Sequence, residues 1–218
     1  MSTEPAAAGA DDAGETPDRA RRTRSRARFE ARQREIVDIA ARLFADRGYH
    51  ATSVDDLTAA TGLQRGGLYH YIGSKEALLF RIHERFIAPL LEAAREIEQR
   101  DEPAEQRLRA LARALMRDIA DYQPQVTVFI QEWRTIRADP RAGELVEARR
   151  AFEAVLERVL ADGVAEGTFR LDDARLAQLG FLGMFNYSYQ WFRSSGGVPP
   201  EQVADRFCDV FLDGIRAR

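Results

Sequence analysis

Gln64, Arg65, Gly66, Gly67, Tyr69, His70 and Lys75 crowd into twelve residues. These side chains suit the gripping of a polyanion better than the breaking of bonds. Arg65 carries a planar fork of donors that can hold guanine bidentately or clamp a phosphate, and the sequence leaves both roles open. Gly66 and Gly67 weaken an isolated helix but let its backbone come close to another surface. His70 is a contact candidate, with a solvated surface histidine as the alternative. Thr52 and Ser53, just upstream, supply hydroxyls for phosphate, and a helix starting there adds backbone N–H groups that favour anions.

Two short helices with a tight turn would place these groups. Thr52 or Ser53 caps the first helix, and Asp55 and Asp56 stand three residues later, close to a capping box. Val54, Leu57 and Ala60 then recur at helical spacing. Gly62 supplies the turn, Leu63 plugs it, and Gly66–Ile72 forms the second helix. Ser74 caps the next one. Upstream, Phe29–Arg47 is expected to be helical, with Ile36, Ile39, Ala40, Leu43 and Phe44 as its apolar stripe and Gly48 as its stop. A helix, a turn with glycine and a second helix make a helix-turn-helix, whose second helix enters the DNA major groove.

The same residues carry a family likeness. Thr52-Ser53-Val54, Leu57, Gly62-Leu63, Gly67-Leu68-Tyr69, Tyr71 and Ser74-Lys75-Glu76-Ala77-Leu78 resemble the DNA-binding domain of TetR-family transcriptional regulators, over about residues 30–88. The resemblance implies that Tyr69 faces DNA, that Tyr71 packs inward and that Lys75 meets phosphate. Two positions depart from the family pattern. Gly67 replaces a usual Ser or Thr, and Gln64 stands where a capping Ser is common.

Charge is uneven. The chain of 218 residues has a net charge of −3. Residues 1–18 hold five acids and no strong base, whereas residues 19–34 hold eight arginines against Glu30. An acidic body with one basic arm points to a local polyanion contact. Residues 1–28 lack apolar periodicity and contain Pro5, Gly9, Gly14 and Pro17, so they read as a disordered Arg-rich arm. The arm can lie along phosphates or reach a minor groove, with a solvated tail as the alternative. No apolar run approaches the ~20 residues that span a membrane. The first residues lack the apolar core of a secretory signal. Cys208 is the lone cysteine; it fits a reducing compartment and reads as a core or interface filler. The expected localisation is cytoplasmic. His50, His70 and His83 lack metal-ligand spacing, and no P-loop, nucleophile elbow or dinucleotide fingerprint occurs. Neither an enzyme, a metal nor a cofactor is expected.

From Ser74 onward every segment reads as helix. One helix starts at Ser74, continues or restarts at Pro89, and reaches about Arg100. It links the DNA-binding unit to the rest. Further helices span about Ala104–Tyr122, Gln125–Arg137, Gly143–Gly167, from Asp172 or Asp173 to Arg193, and from Pro199 or Pro200 to Arg216. The segment Leu176–Arg193 is apolar on two sides, and Gly180 and Gly183 allow close approach. Such a helix needs two partners, which a two-fold dimer with a four-helix bundle supplies, with a crowded monomer core as the alternative.

Phe129, Trp133, Phe181, Phe185, Tyr189 and Trp191 are enough aromatics for an apolar pocket, though core packing is the competing account. The stretches Val128–Arg134 and Tyr189–Arg193, followed by Gly196-Gly197 and a Pro-initiated helix, are similar to the ligand domains of KstR-type actinobacterial repressors and related acyl-CoA sensors. That similarity implies a CoA thioester effector, with Phe129, Trp133, Arg134, Phe185, Tyr189, Trp191 and Arg193 around it. Arg137 and Arg141 fit surface ion pairs better.

The expected protein is all-α. Residues 1–28 form the arm, 29–88 a three-helix DNA-binding domain, and 89–218 a helical ligand-binding and dimerisation domain. It is expected to work as a homodimeric repressor released from a palindromic double-stranded DNA operator by a small lipophilic effector, without membrane association. An activator, or a helical small-molecule-binding protein, is the alternative.

Overall fold

Helix α1 spans Pro17–Arg47, twelve residues longer at its start than the apolar stripe alone predicts. The computed structural model describes residues 17–215, so the first sixteen residues of the expected disordered arm lie outside the described residues. Its remainder, residues 17–28, lies within helix α1. Proline is favoured in a first helical turn, no glycine or proline follows before Gly48, and arginine and alanine are good helix formers. The packed half of α1, with Ile36, Ala40 and Phe44 fully buried, supplies a nucleus from which the exposed half can propagate.

Helices α2 (Val54–Thr61) and α3 (Arg65–Ile72) follow. Ser53 caps α2 in a complete capping box. Its Oγ accepts from the Asp56 N–H at 3.1 Å, and its own N–H donates to Asp56 Oδ2 at 2.8 Å. Gly62 closes α2 with φ of 69°, in the left-handed region where a side chain is costly. Leu57, Leu68 and Ile72 bury against the α1 stripe, and Val54 packs partly on the same core. Ser74 caps α4 (Lys75–Glu98) by accepting from the Ala77 N–H at 3.0 Å. Pro89 lies within α4 without ending it, so this one helix runs from the DNA-binding unit into the body.

The body is α5 (Ala104–Asp121), α6 (Gln123–Arg137), a short 3-10 turn at Pro140–Ala142, α7 (Gly143–Ala165), α8 (Ala174–Asn186), α9 (Ser188–Trp191) and α10 (Pro200–Ile215). Pro124 does not separate α5 from α6; it sits in the first turn of α6, where its missing N–H matters least. Asp173 caps α8 through the Leu176 N–H at 2.9 Å. The expected single helix to Arg193 is interrupted at Tyr187 and stops at Trp191. Gln123 of α6 marks that stop by donating to the carbonyls of Tyr189 and Phe192 at 2.9 and 3.0 Å. Gly163 in α7 is needed for space, because a Cβ there would sit 2.1 Å from the buried Phe169 ring.

One apolar core runs from Ile36 through α4 to Leu212. Cys208 on α10 is wholly inside it, and burial pushes its thiol up to about 12. No helix among the described residues is long and apolar enough to cross a membrane.

Candidate nucleic-acid interface and internal cavity

The outer row of α3 presents Arg65, Gly66, Tyr69 and His70 to solvent, while Leu68 and Ile72 face inward. Gln64 occupies the cap position of α3 and is exposed, but its side chain does not bond to the helix. Arg65 is not loose. Its Nε and Nη2 donate to both carboxylate oxygens of Asp55 on α2, at 2.9–3.0 Å. Tyr71 points the other way and stacks on Phe29 of α1, ring centroids 4.9 Å apart, while His70 meets the same ring edge-on at 5.4 Å.

Two expected phosphate contacts change character. Thr52 is buried, and its hydroxyl donates to the Gly48 carbonyl at 2.8 Å, so it serves the turn before α2 rather than a surface. Lys75 Nζ lies 4.4 Å from the centre of the Tyr49 ring, and burial holds its pKa below the ordinary lysine value. Ser53 remains exposed, though its hydroxyl and the first turn of α2 are shared with Asp55 and Asp56, which oppose an anion there. Arg19 and residues 21–28 are exposed along α1, with Arg26 paired to Glu30 at 2.8 Å.

Behind this unit, α4, α5, α6, α7 and α8 enclose a cavity of about 270 Å³. Phe86, Leu115, Ile119, Phe129, Trp133, Phe152 and Leu182 supply its apolar lining. Asp118 and Arg149 also line it. The Arg149 guanidinium lies 4.4 Å from the Trp133 ring centre and donates from Nε to Glu153 Oε1 at 2.8 Å. Asp118 Oδ2 is buried without a hydrogen-bond partner among the described residues. Burial, and secondarily the charge of Asp121, push the Asp118 carboxyl up to about 8.

Helix α6 has two duties. Phe129, Ile130 and Trp133 form one wall of the cavity. Gln125 donates to Asp38 Oδ1 of α1 at 3.0 Å, and Asp38 also receives Arg85 of α4 at 3.1 and 3.2 Å. Glu132 of α6 meets His50, in the turn before α2, at 3.4 Å.

Comparison with known proteins fits both halves. Residues 36–82 match the family of bacterial regulatory proteins named for tetR, and residues 101–215 match the tetracyclin repressor-like C-terminal domain. The chain belongs to the TetR family. It is 33% identical over 185 residues to the HTH-type transcriptional repressor KstR2 of Rhodococcus jostii, covering 84% of this chain and 91% of that protein. It is 28% identical to KstR2 of Mycobacterium tuberculosis, whose solved structure, described as a ketosteroid transcriptional regulator, superposes with a TM-score of 0.81 over 86% of this chain and 96% of that one. AibR, solved in complex with isovaleryl coenzyme A and operator DNA, superposes at 0.73 with 29% identity, over 82% of this chain and 97% of that one.

As a TetR-family regulator, the chain is all-α with an N-terminal helix-turn-helix and a C-terminal helical domain. The cavity takes up two of the seven expected effector residues, Phe129 and Trp133. Phe185 is a core residue, tilted against the Phe181 ring and edge-on to that of Phe207. Tyr189 and Arg193 border a separate, more polar cleft beside α1 and α6. Trp191 is half exposed against Phe207, and Arg134 is exposed on α6. Asp118, Arg149, Phe152 and Leu182 were not expected. Asp118 had a signal: it falls on the apolar stripe of α5, three residues after Leu115.

Proposed function

We propose that this TetR-family protein is a homodimeric repressor. It binds a palindromic operator and leaves it when the apolar part of a CoA thioester fills the cavity. The double duty of α6 carries the proposal. An occupant that moves Phe129, Ile130 or Trp133 moves the helix holding Gln125–Asp38 and Glu132–His50. The effector must favour the state whose α3 helices are wrongly spaced for DNA; a preference of ~1–3 kcal/mol changes operator affinity roughly 5–150-fold.

About 270 Å³ is just below the usual range of ligand pockets, roughly 300–1,000 Å³. It suits an acyl or ring group and leaves the CoA nucleotide outside, where exposed arginines such as Arg134 can meet its phosphates. AibR, solved with isovaleryl coenzyme A and operator DNA, supports this chemistry, as does the likeness to KstR2.

On the DNA side, Arg65 is the base reader. Asp55 cancels its charge and would sit close to any phosphate it held, which weakens a clamp role. The donors turned away from Asp55 stay free for a guanine edge. Gln64, Gly66, Gly67, Tyr69 and His70 complete the contact surface, with Ser53 and Lys75 at its border. The dimer forms through α8 and α10. Leu176, Leu179 and Tyr187 stand exposed on α8 and just beyond it, and Val210 on α10. A Cβ added at Gly180, Gly183 or Gly214 would meet nothing within 4 Å, so a partner helix can come close at each. The protein acts in the cytoplasm and performs no catalytic step.

Fluorescence anisotropy on DNA from upstream of its own gene, titrated with short- and medium-chain acyl-CoAs, tests this. Salt-sensitive binding that acyl-CoA reverses is expected. Binding that no acyl-CoA disturbs would count against the effector assignment.

A further inference from the structure

Asp118 is an expensive residue to keep. It is about nine-tenths buried, on α5, in the wall of an otherwise largely apolar cavity. No cation compensates it among the described residues: Arg149, on the same lining, is bound to Glu153 and stacked on Trp133, and the acid beside Asp118 in sequence, Asp121, only adds repulsion. Its Oδ2 has no hydrogen-bond partner among the described residues. A buried polar atom in that condition is a standing cost, and such costs concentrate where a protein meets its ligand.

We propose that Asp118 recognises a neutral oxygen group, a hydroxyl or a ketone, on the apolar part of the effector. The inference rests on the cavity being the effector site. In its protonated form Asp118 has one O–H donor and one carbonyl acceptor, so it can donate to a ketone or accept from a hydroxyl. A plain hydrocarbon leaves both unmet. A carboxylate would bring negative charge to an acid without a cation. An ammonium group would share the cavity with Arg149 and would need Asp118 ionised in a dry wall. A neutral oxygen meets none of these penalties. The class of effector is therefore an oxygenated acyl or ring thioester rather than a saturated one.

The test uses the full-length chain and matched probes. Octanoyl-CoA is compared with 3-hydroxyoctanoyl-CoA and 3-oxooctanoyl-CoA by calorimetry, in the unaltered protein, Asp118→Leu and Asp118→Asn, with circular dichroism as the control for folding. Methylcyclohexane and cyclohexanone, which need no thioester site, are compared in parallel by ligand-observed NMR. The expected result is a preference of roughly tenfold or more for the oxygenated member. That preference should vanish in Asp118→Leu and persist in part in Asp118→Asn. A ketone preference in the CoA-free pair without any acyl-CoA binding would sink the thioester assignment while supporting Asp118. No oxygen preference in either pair, or a preference that survives Asp118→Leu, would overturn the inference; if Asp118→Leu fails to fold, Asp118→Ala takes its place under the same criterion.

Discussion

Arg65 and Asp55 form a pair of nearly zero net charge on the surface where attraction to DNA would be most useful. Neutrality makes the pair a poor source of affinity and a good source of direction, because Asp55 fixes the plane of the fork. Arg65→Ala should therefore cost ~1–3 kcal/mol on the preferred site and relax discrimination at one base pair. A panel of single-base operator variants measured by anisotropy would show it; an equal loss on every sequence would identify a phosphate clamp. Asp55→Asn should raise binding to unrelated DNA and narrow the gap between sites. Asp118 gives a second prediction. Its carboxyl rises from 3.8 to about 8 on folding, so the folded state holds the proton more tightly. The sign follows: stability is full below the unfolded value and falls as pH climbs from about 4 towards about 8. Asp118→Asn should remove that fall and gain on the order of a few kcal/mol at alkaline pH, read by denaturant titration at several pH values. Equal pH dependence in both proteins would show that the acid finds a partner in solution.

Helix α7 can approach the turn after it only because residue 163 is glycine. Gly163→Ala drives a methyl into the Phe169 ring and should cost ~1–3 kcal/mol, seen as a lower Tm with the helical content kept. Helix α6 is the element whose meaning was least visible in the sequence. Its aromatic face was legible, and Phe129 and Trp133 do line the cavity. The edge beside it, Gln125 and Glu132, makes sense only once α1 and the turn at His50 are alongside, and nothing in local spacing brings residues 38 and 125 together. The helix-turn-helix was readable because its signals are local: Ser53 three residues before Asp56, a glycine at 62, Ser74 before Lys75. The effector set was not, since aromatics at helical spacing serve a core and a pocket alike, as Phe185 shows. Asp38→Asn or Gln125→Leu should leave operator binding in place and weaken the response to effector by ~0.5–2 kcal/mol of coupling, measured as the shift in operator affinity at saturating ligand. An undiminished response would move the linkage to α4 alone.

At the scale of the molecule, residues 35–85 carry six strong bases against seven acids, so the helix-turn-helix has little net attraction for DNA. We propose that the arginines of the exposed first half of α1 supply it. Removal of residues 1–28 should weaken operator binding and flatten its salt dependence, with the preferred sequence unchanged; an altered preference would show that the arm reads bases. Two copies must also hold together. Leu179→Glu, on the exposed face of α8, should shift the mass seen by sedimentation to a single chain and abolish tight operator binding. The buried Cys208 has a practical consequence. A thiol so enclosed, and held so far from ionisation, should ignore maleimides and nitroxide reagents under native conditions. A single cysteine introduced at exposed Tyr69 would then be the sole labelled position on each subunit. Dipolar spectroscopy on such a sample would report the separation of the two α3 helices directly, with and without effector, and so turn the proposed loss of spacing into a measured distance.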